Sequence, residues 1–228
     1  MKQALVLGAS GMIGSAIVEE FERSGFLTLR ATSRSSGDGS VLIPSSTSHL
    51  DESISKLPKL HSVVWAHGAN LNDHVYGFEL TNLENLLEIN VLYIANTLSA
   101  LIAADKVMPG ARLLVISSIW QERARKGKFS YTISKAAVGG LVRASAADLA
   151  DRNILVNAIL PGVLDGPMTS ASLSPDQLGR VTASTDFHRL VTAQDIAKLA
   201  RFLCSEENGS ITGQSFVVDL GFSVTKQL

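Results

Sequence analysis

Ala4-Leu5-Val6-Leu7-Gly8-Ala9-Ser10-Gly11-Met12-Ile13-Gly14 passes from a short apolar run through a glycine-rich turn into an amphipathic pattern that continues to Arg23. The run reads as a buried strand and the pattern as a helix. Between a strand and a helix, glycines at 8, 11 and 14 let the backbone turn sharply and approach a pyrophosphate closely. The unpaired N–H groups at the helix start then face that anion, aided by the helix dipole. Gly8, Ser10, Gly11, Met12, Ile13 and Gly14 are therefore candidate contacts to a dinucleotide. The plainer alternative is an ordinary tight strand–helix turn.

Outward from this turn the alternation repeats. Leu27–Thr32, Val41–Ile43, Ser62–Ala66, Arg112–Ser117, Ile154–Leu160 and Phe216–Val218 read as strands. Leu50–Leu57, Leu83–Ala104, Tyr131–Ala150 and Ala193–Leu203 read as helices. Strands alternating with helices imply an α/β fold, a doubly wound parallel sheet covered on both faces. The chain has 228 residues, no repeat and no internal linker, so one domain spans 1–228. Residues 164–190 form the longest poorly patterned stretch. It reads as a lid over a substrate, with Met168, Leu173, Leu178 and Val181 as its apolar lining, or else as a surface excursion.

Composition narrows the function. Hydrophobic residues make up 46% and charged residues 18%, which argues against disorder. A formal net charge of -1 with no long basic run disfavours nucleic acid as a partner. Cys204 is the only cysteine, so neither an intrachain disulfide nor a multi-cysteine metal site can form, and no metal is expected. Ala4–Leu7 is too short for a signal-peptide core, and no apolar stretch approaches the ~20 residues that cross a bilayer. The expectation is a soluble cytoplasmic protein without a membrane partner.

Two further segments carry chemistry. In Tyr131-Thr132-Ile133-Ser134-Lys135 the phenol and the amine are four apart, on one face of a helix. An ammonium beside a phenol favours the phenolate and lowers its pKa, which suits proton transfer near neutral pH. At the end of the second strand, Thr32-Ser33-Arg34 stands where an acidic residue would accept bonds from a ribose 2′-OH. Arg34 offers charge-assisted bonds to a 2′-phosphate and Ser33 one more, so NADP(H) is favoured over NAD(H). Arg34 as a solvated loop cation is the alternative, and Asp38 lies close in sequence.

Ser118, Tyr131 and Lys135, preceded by Asn90, resemble the Asn–Ser–Tyr–Lys tetrad of the short-chain dehydrogenase/reductase family. The likeness covers nearly the whole chain. Its pieces stand in family order: the glycine turn, Ala66-His67-Gly68, Asn90, Ile116-Ser117-Ser118, Tyr131 with Lys135, Pro161-Gly162, and Ile211-Thr212-Gly213-Gln214. The resemblance implies a single Rossmann-type domain that moves hydride between NADP(H) and a small carbonyl or alcohol substrate. It implies that Tyr131 is the general acid or base and that Ser118 bonds the substrate oxygen. Lys135 would bind the nicotinamide ribose, and Asn90 would interrupt or kink its helix and hold a water touching Lys135. Ala66, His67, Gly68, Pro161, Gly162 and Val163 would line the cofactor, Val163 through its backbone.

The chain departs from the family pattern in four places. Met12 occupies a usual glycine position, Trp65-Ala66-His67-Gly68 replaces the usual Asn-Asn-Ala-Gly turn, and Gly166 stands where many members carry Thr. The segment between the second and fourth strands is also short and lacks the Asp that often contacts adenine. The GxxGxxG spacing leaves open a nucleotide-sugar epimerase or dehydratase, and a non-catalytic NADP-sensing regulator is a further alternative. Arg123, Arg125, Lys126 and Lys128 read first as a solvated charged loop, secondarily as an attractor for an anionic substrate or carrier. Leu86 to Leu98, and the small residues Ala136 to Ala147, are apolar on more than one side. That pattern predicts a homo-oligomer, a dimer or tetramer.

Overall fold

The computed structural model describes residues 1–32, 41–44, 50–166, 169, 174–183, 185 and 187–225. Ser33 and Arg34, expected to set cofactor choice, lie outside the described residues, as do Asp38, Met168 and Leu173.

Seven parallel strands form one sheet in the order β3-β2-β1-β4-β5-β6-β7. They are β1 (Gln3–Leu7), β2 (Leu27–Thr32), β3 (Val41–Leu42), β4 (Leu60–Trp65), β5 (Val107–Ile116), β6 (Leu155–Pro161) and β7 (Ser215–Val218). The helices are α1 (Met12–Arg23), α2 (Leu50–Ser55), α3 (Leu80–Leu87), α4 (Tyr93–Ala103), α5 (Phe129–Asp148), α6 (Pro175–Ala183) and α7 (Ala193–Cys204). The strand order reverses between β1 and β4. In open α/β sheets a ligand crevice forms at such a point, at the carboxyl ends of the strands.

Strand periodicity sorts the core into two layers. Leu5, Leu7, Val63, Trp65, Leu113 and Val115 face one side, packed on α2, α4 and α5. Val6, Val64, Leu114 and Ile159 face the other, packed on α1 and α7. α7 is fixed at its start by a capping box, in which Thr192 and Asp195 bond each other's backbone N–H.

The helical pattern over Leu83–Ala104 is two α-helices joined by a π-helical turn at Glu88–Leu92, the interruption expected at Asn90. Three expectations need correction. Taken as one stretch, Leu80–Ala103 is 24 residues long and apolar enough to cross a membrane by length and composition, contrary to the sequence reading. Here its Tyr93, Ile94 and Leu101 pack into the core under the sheet, which accounts for part of that apolarity. The region 164–190 is not patternless, since α6 lies within it. β5 starts five residues earlier than read, at Val107, with a register irregularity against β4 between Leu60 and Ser62.

Candidate active site

The glycine turn sits at the carboxyl end of β1, with Gly11 as the N-cap of α1. Two of its glycines are obligatory. Gly8 has φ +82, and a Cβ there would lie 2.6 Å from the backbone N of His67. A Cβ on Gly14 would lie 2.1 Å from the carbonyl oxygen of Gly8. Gly11, Ser10 and Met12 face outward, so the turn is packed on its inner side and open on its outer side.

The end of β4 lies against this turn. Ala66 N donates to Leu7 O at 2.8 Å. His67 contacts Ile89 O through Nε2 at 3.1 Å and sets its ring edge-on to Tyr93, with centroids 4.6 Å apart. Burial, with the Lys135 charge as a second cause, lowers the His67 pKa to about 4, so the ring is neutral. Its buried Nδ1 has no hydrogen-bond partner among the described residues. Gly68 follows, and a Cβ on it would approach Asn90 Oδ1 at 3.3 Å and Lys135 Nζ at 3.5 Å.

Asn90 is buried in the π-helical turn. Its Oδ1 accepts from Ala69 N at 2.9 Å, while Nδ2 donates to Ala69 O and to Ser134 Oγ, each at 3.0 Å. The side chain thus ties the strand-end loop to α5. Both amide hydrogens are committed, so a water linking Asn90 to Lys135 has only the oxygens of Asn90 to bond.

α5 places Tyr131, Ser134, Lys135, Val138 and Val142 on its buried side. The apolar members anchor the helix to the sheet. Tyr131 and Lys135 belong to the same stripe nearer the strand ends. Ser118 follows β5, lies near enough to Tyr131 to lower its pKa, and accepts from Trp120 N through Oγ at 3.3 Å. Lys135 Nζ lies 5.7 Å from the Tyr131 ring centroid. It makes no hydrogen bond to a described residue, which leaves its donors for a ligand.

The electrostatics differ from the sequence expectation. Burial pushes the Tyr131 phenol up to about 12, and the nearby Ser118 side chain offsets only part of that. Burial likewise lowers Lys135 to about 8. Desolvation dominates both shifts, and the Lys135 charge is not among the causes that move the phenol. Tyr131 is therefore a protonated acid rather than a ready base.

The loop after β4 grips the start of α5. Asp73 Oδ1 accepts from Ser130 N at 3.0 Å, and its Oδ2 accepts from Ser130 Oγ. Lys128 Nζ donates to Asn70 Oδ1 at 2.5 Å and to Leu71 O at 3.3 Å. Asn70, Asp73, Lys128 and Ser134 were not singled out for these contacts. Their partners lie tens of residues away, and no local spacing announces them. Lys128 is buried and is not part of a solvated loop.

β6 ends at Pro161. Gly162 N bonds Val218 O at 2.9 Å, and a Cβ there would lie 2.6 Å from Asp219 Cβ. Gly162 thus holds the chain close to the end of β7, with Val163 half-buried beyond it. Glycine turn, strand-end loop, Ser118–Tyr131–Lys135 cluster and Pro161–Val163 all gather at the carboxyl edge of the sheet.

Residues 45–223 match the family described as enoyl-(acyl carrier protein) reductase. The chain belongs to the short-chain dehydrogenase/reductase family. It is 28% identical over 236 aligned residues to 3-oxoacyl-(acyl-carrier-protein) reductase FabG of Escherichia coli, covering 96% of each chain. It is 33% identical over 172 residues to 7alpha-hydroxysteroid dehydrogenase of Escherichia coli, covering 75% of this chain and 67% of that one. Among solved structures, a short-chain dehydrogenase/reductase from Serratia marcescens superposes with a TM-score of 0.86 at 26% identity, covering 98% of both chains. A blue fluorescent protein from a metagenomic library, in complex with NADPH, superposes with a TM-score of 0.87 at 26% identity, also over 98% of both. The family membership and the seven-stranded parallel fold read from the sequence both hold, and with them the class of oxidoreductase.

Proposed function

We propose that this member of the family reduces a carbonyl, or oxidises the corresponding alcohol, with NADP(H), and that Tyr131 moves the proton. The observation that carries the reading is that Ser118, Tyr131 and Lys135 are buried together, with Lys135 Nζ 5.7 Å from the Tyr131 ring centroid and not hydrogen bonded to a described residue. The crevice suits a dinucleotide. The glycine turn is open outward, Lys135 has free donors, and the buried His67 Nδ1 and Ser117 Oγ lack partners among the described residues.

When bound, the nicotinamide cofactor supplies or accepts the hydride. The backbone N–H groups of Met12, Ile13 and Gly14 at the start of α1 would receive its pyrophosphate, since those of Gly8 and Gly11 already donate to Ala31 O and Gly8 O. Lys135 binds the ribose hydroxyls. Val163 presents backbone to the carboxamide. Ser118 donates a hydrogen bond to the carbonyl oxygen and holds it beside Tyr131. Tyr131, which its raised pKa keeps protonated, then gives that oxygen its proton. Lys135 stands close enough to stabilise the phenolate left behind. Asn90 keeps the strand-end loop and α5 in register through Ala69 and Ser134.

The NADP preference rests on Arg34 and Ser33 in the sequence and on the NADPH-bound relative in structure. Arg34→Ala is expected to weaken NADPH more than NADH; equal weakening would remove that preference. We assign 164–190, with α6, to covering the substrate. We also infer a homo-oligomer, because Leu80, Ile89, Leu92 and Ile133 leave apolar surface exposed on α3, the π-helical turn and α5; light scattering of the purified chain tests it. The buried free thiol of Cys204 suits a reducing, cytoplasmic setting.

The decisive experiment follows NADPH consumption across a ketone panel for the natural chain and for Tyr131→Phe. Turnover is expected to fall by at least about 100-fold with NADPH binding nearly unchanged. Near-normal turnover in the variant would reject Tyr131 as the acid.

A further inference from the structure

Lys128 holds a second ammonium beside the reactive phenol. Its Nζ lies 5.3 Å from the Tyr131 ring centroid, slightly nearer than that of Lys135. Lys128 is buried, as Tyr131 and Ser118 are. Two of its three donors go to neutral acceptors, Asn70 Oδ1 and Leu71 O. It makes no ion pair with a described residue. Asp73, whose charge reaches it, spends both carboxylate oxygens on Ser130. Arg125 adds further positive potential.

A buried ammonium whose nearest carboxylate is bonded elsewhere is costly. Holding the Asn70 loop to α5 needs only a neutral donor. A positive charge kept at this place is explained by an anion that arrives with the ligand.

We propose that Lys128 is the anion-binding residue of the substrate pocket, and that the substrate is a short oxo or hydroxy acid. Its carboxylate pairs with the Lys128 ammonium while its carbonyl or hydroxyl oxygen meets Ser118 and Tyr131. The inference rests on the reading of Tyr131 as the proton donor and narrows its substrate class. The carboxylate takes no part in bond making. In the reducing direction the carbonyl carbon gains hydride from the reduced cofactor, the oxygen gains the Tyr131 proton, and the carboxylate remains an anion. Phosphorylated substrates are disfavoured because one remaining donor matches a carboxylate oxygen better than a dianion with three acceptors.

Two measurements on the full chain test this. The first is calorimetric titration with butyrate and with its neutral isostere butyramide, on the natural protein, Lys128→Met and Lys128→Arg. Butyrate is expected to bind about tenfold or more tightly than butyramide, Lys128→Met to abolish the difference and Lys128→Arg to keep part of it. The second is kcat/KM for pyruvate, acetoacetate and levulinate, each against its methyl ester. At least one acid is expected to exceed its ester by about tenfold, and that ratio to collapse in Lys128→Met, chiefly through KM. Should the Met variant fail to fold, Lys128→Gln keeps a donor for Asn70 without the charge. Lys128-independent butyrate binding, or acid-to-ester ratios unmoved by the charge-removing variant, overturns the proposal. Lys128-dependent butyrate binding in a chain where Tyr131→Phe leaves turnover intact supports the anion site while rejecting the proton-donor reading.

Discussion

The thioether of Met12 fills the space into which a side chain at position 166 would grow. A Cβ on Gly166 would fall 2.5 Å from both Sδ and Cε of Met12. In the sequence these were two separate departures from the family pattern, a large residue in the glycine turn and a missing hydroxyl after Pro161-Gly162. In the structure they are one packing relationship, because α1 begins directly opposite the segment that follows β6. Gly166→Thr is therefore expected to cost about 1–2 kcal/mol, since the flexible Met12 tip can yield only part of the space. Met12→Ala in the same chain should recover most of it. Urea unfolding of the two single variants and the double variant reads the coupling, and additive effects would show that the contact carries no energy.

The glycine turn separates folding from binding. A methyl at Gly14 meets the Gly8 carbonyl oxygen at 2.1 Å, and that oxygen is backbone, so the turn must open. Gly14→Ala is expected to cost about 2–3 kcal/mol and to abolish dinucleotide binding. A methyl at Gly11 meets Gly8 O at an ordinary 3.4 Å. Gly11→Ala should cost less than about 1 kcal/mol as an N-cap change, yet weaken NADPH about tenfold by standing on the open side of the turn. Thermal melts with NADPH titrations separate the two effects. A Gly11→Ala variant with unchanged affinity would place the pyrophosphate elsewhere.

Asn90 tests whether the π-helical turn is there to present one side chain. Asn90→Ala leaves the backbone N–H and C=O of Ala69 without their partner and Ser134 Oγ with only its bond to Tyr131 O. The expected loss is about 3 kcal/mol, from buried polar groups that no neighbouring side chain replaces. Asn90→Asp should recover only the Ala69 N–H bond and so fall between. Equal stability of all three proteins in denaturant would mean that solvent fills the gap freely.

The strand–turn–helix start, the alternation along the chain and the Tyr131–Lys135 spacing were legible because they depend on neighbours in sequence. β2 was read with its observed bounds, and the kink at Asn90 was anticipated from the family resemblance. The state of Tyr131 was not legible. The amine four residues on is visible in sequence, but the burial that governs the phenol is set by the sheet and by the loop after β4. Lys128 failed for the same reason: between charged neighbours it reads as solvated, and only the folding of Asn70 and Leu71 across it removes the water. Helix α6 was missed because its short amphipathic pattern lies within a stretch that has no strand-like boundary.

The two buried lysines make stability depend on pH with a definite sign. Burial lowers Lys128 from its usual 10.5 to about 8. Between about pH 8 and 10.5 the unfolded chain keeps this proton and the folded chain does not. The unfolded state then binds more protons, so folding stability rises with pH across that window. Below about pH 8 both states are protonated and the full cost of burying the charge is present; above 10.5 neither is, and the cost is gone. Lys128→Met removes this contribution, so the stability of the variant relative to the natural chain should decline steadily from pH 8 to pH 10. Lys135, lowered to about 8 by burial, keeps its own rise in both proteins. Tyr131, raised to about 12, opposes the trend only above its usual 10, where the unfolded phenol ionises first. Urea midpoints at matched ionic strength give the comparison, and parallel curves for the two proteins would mean that the Lys128 ammonium is solvated in the native state.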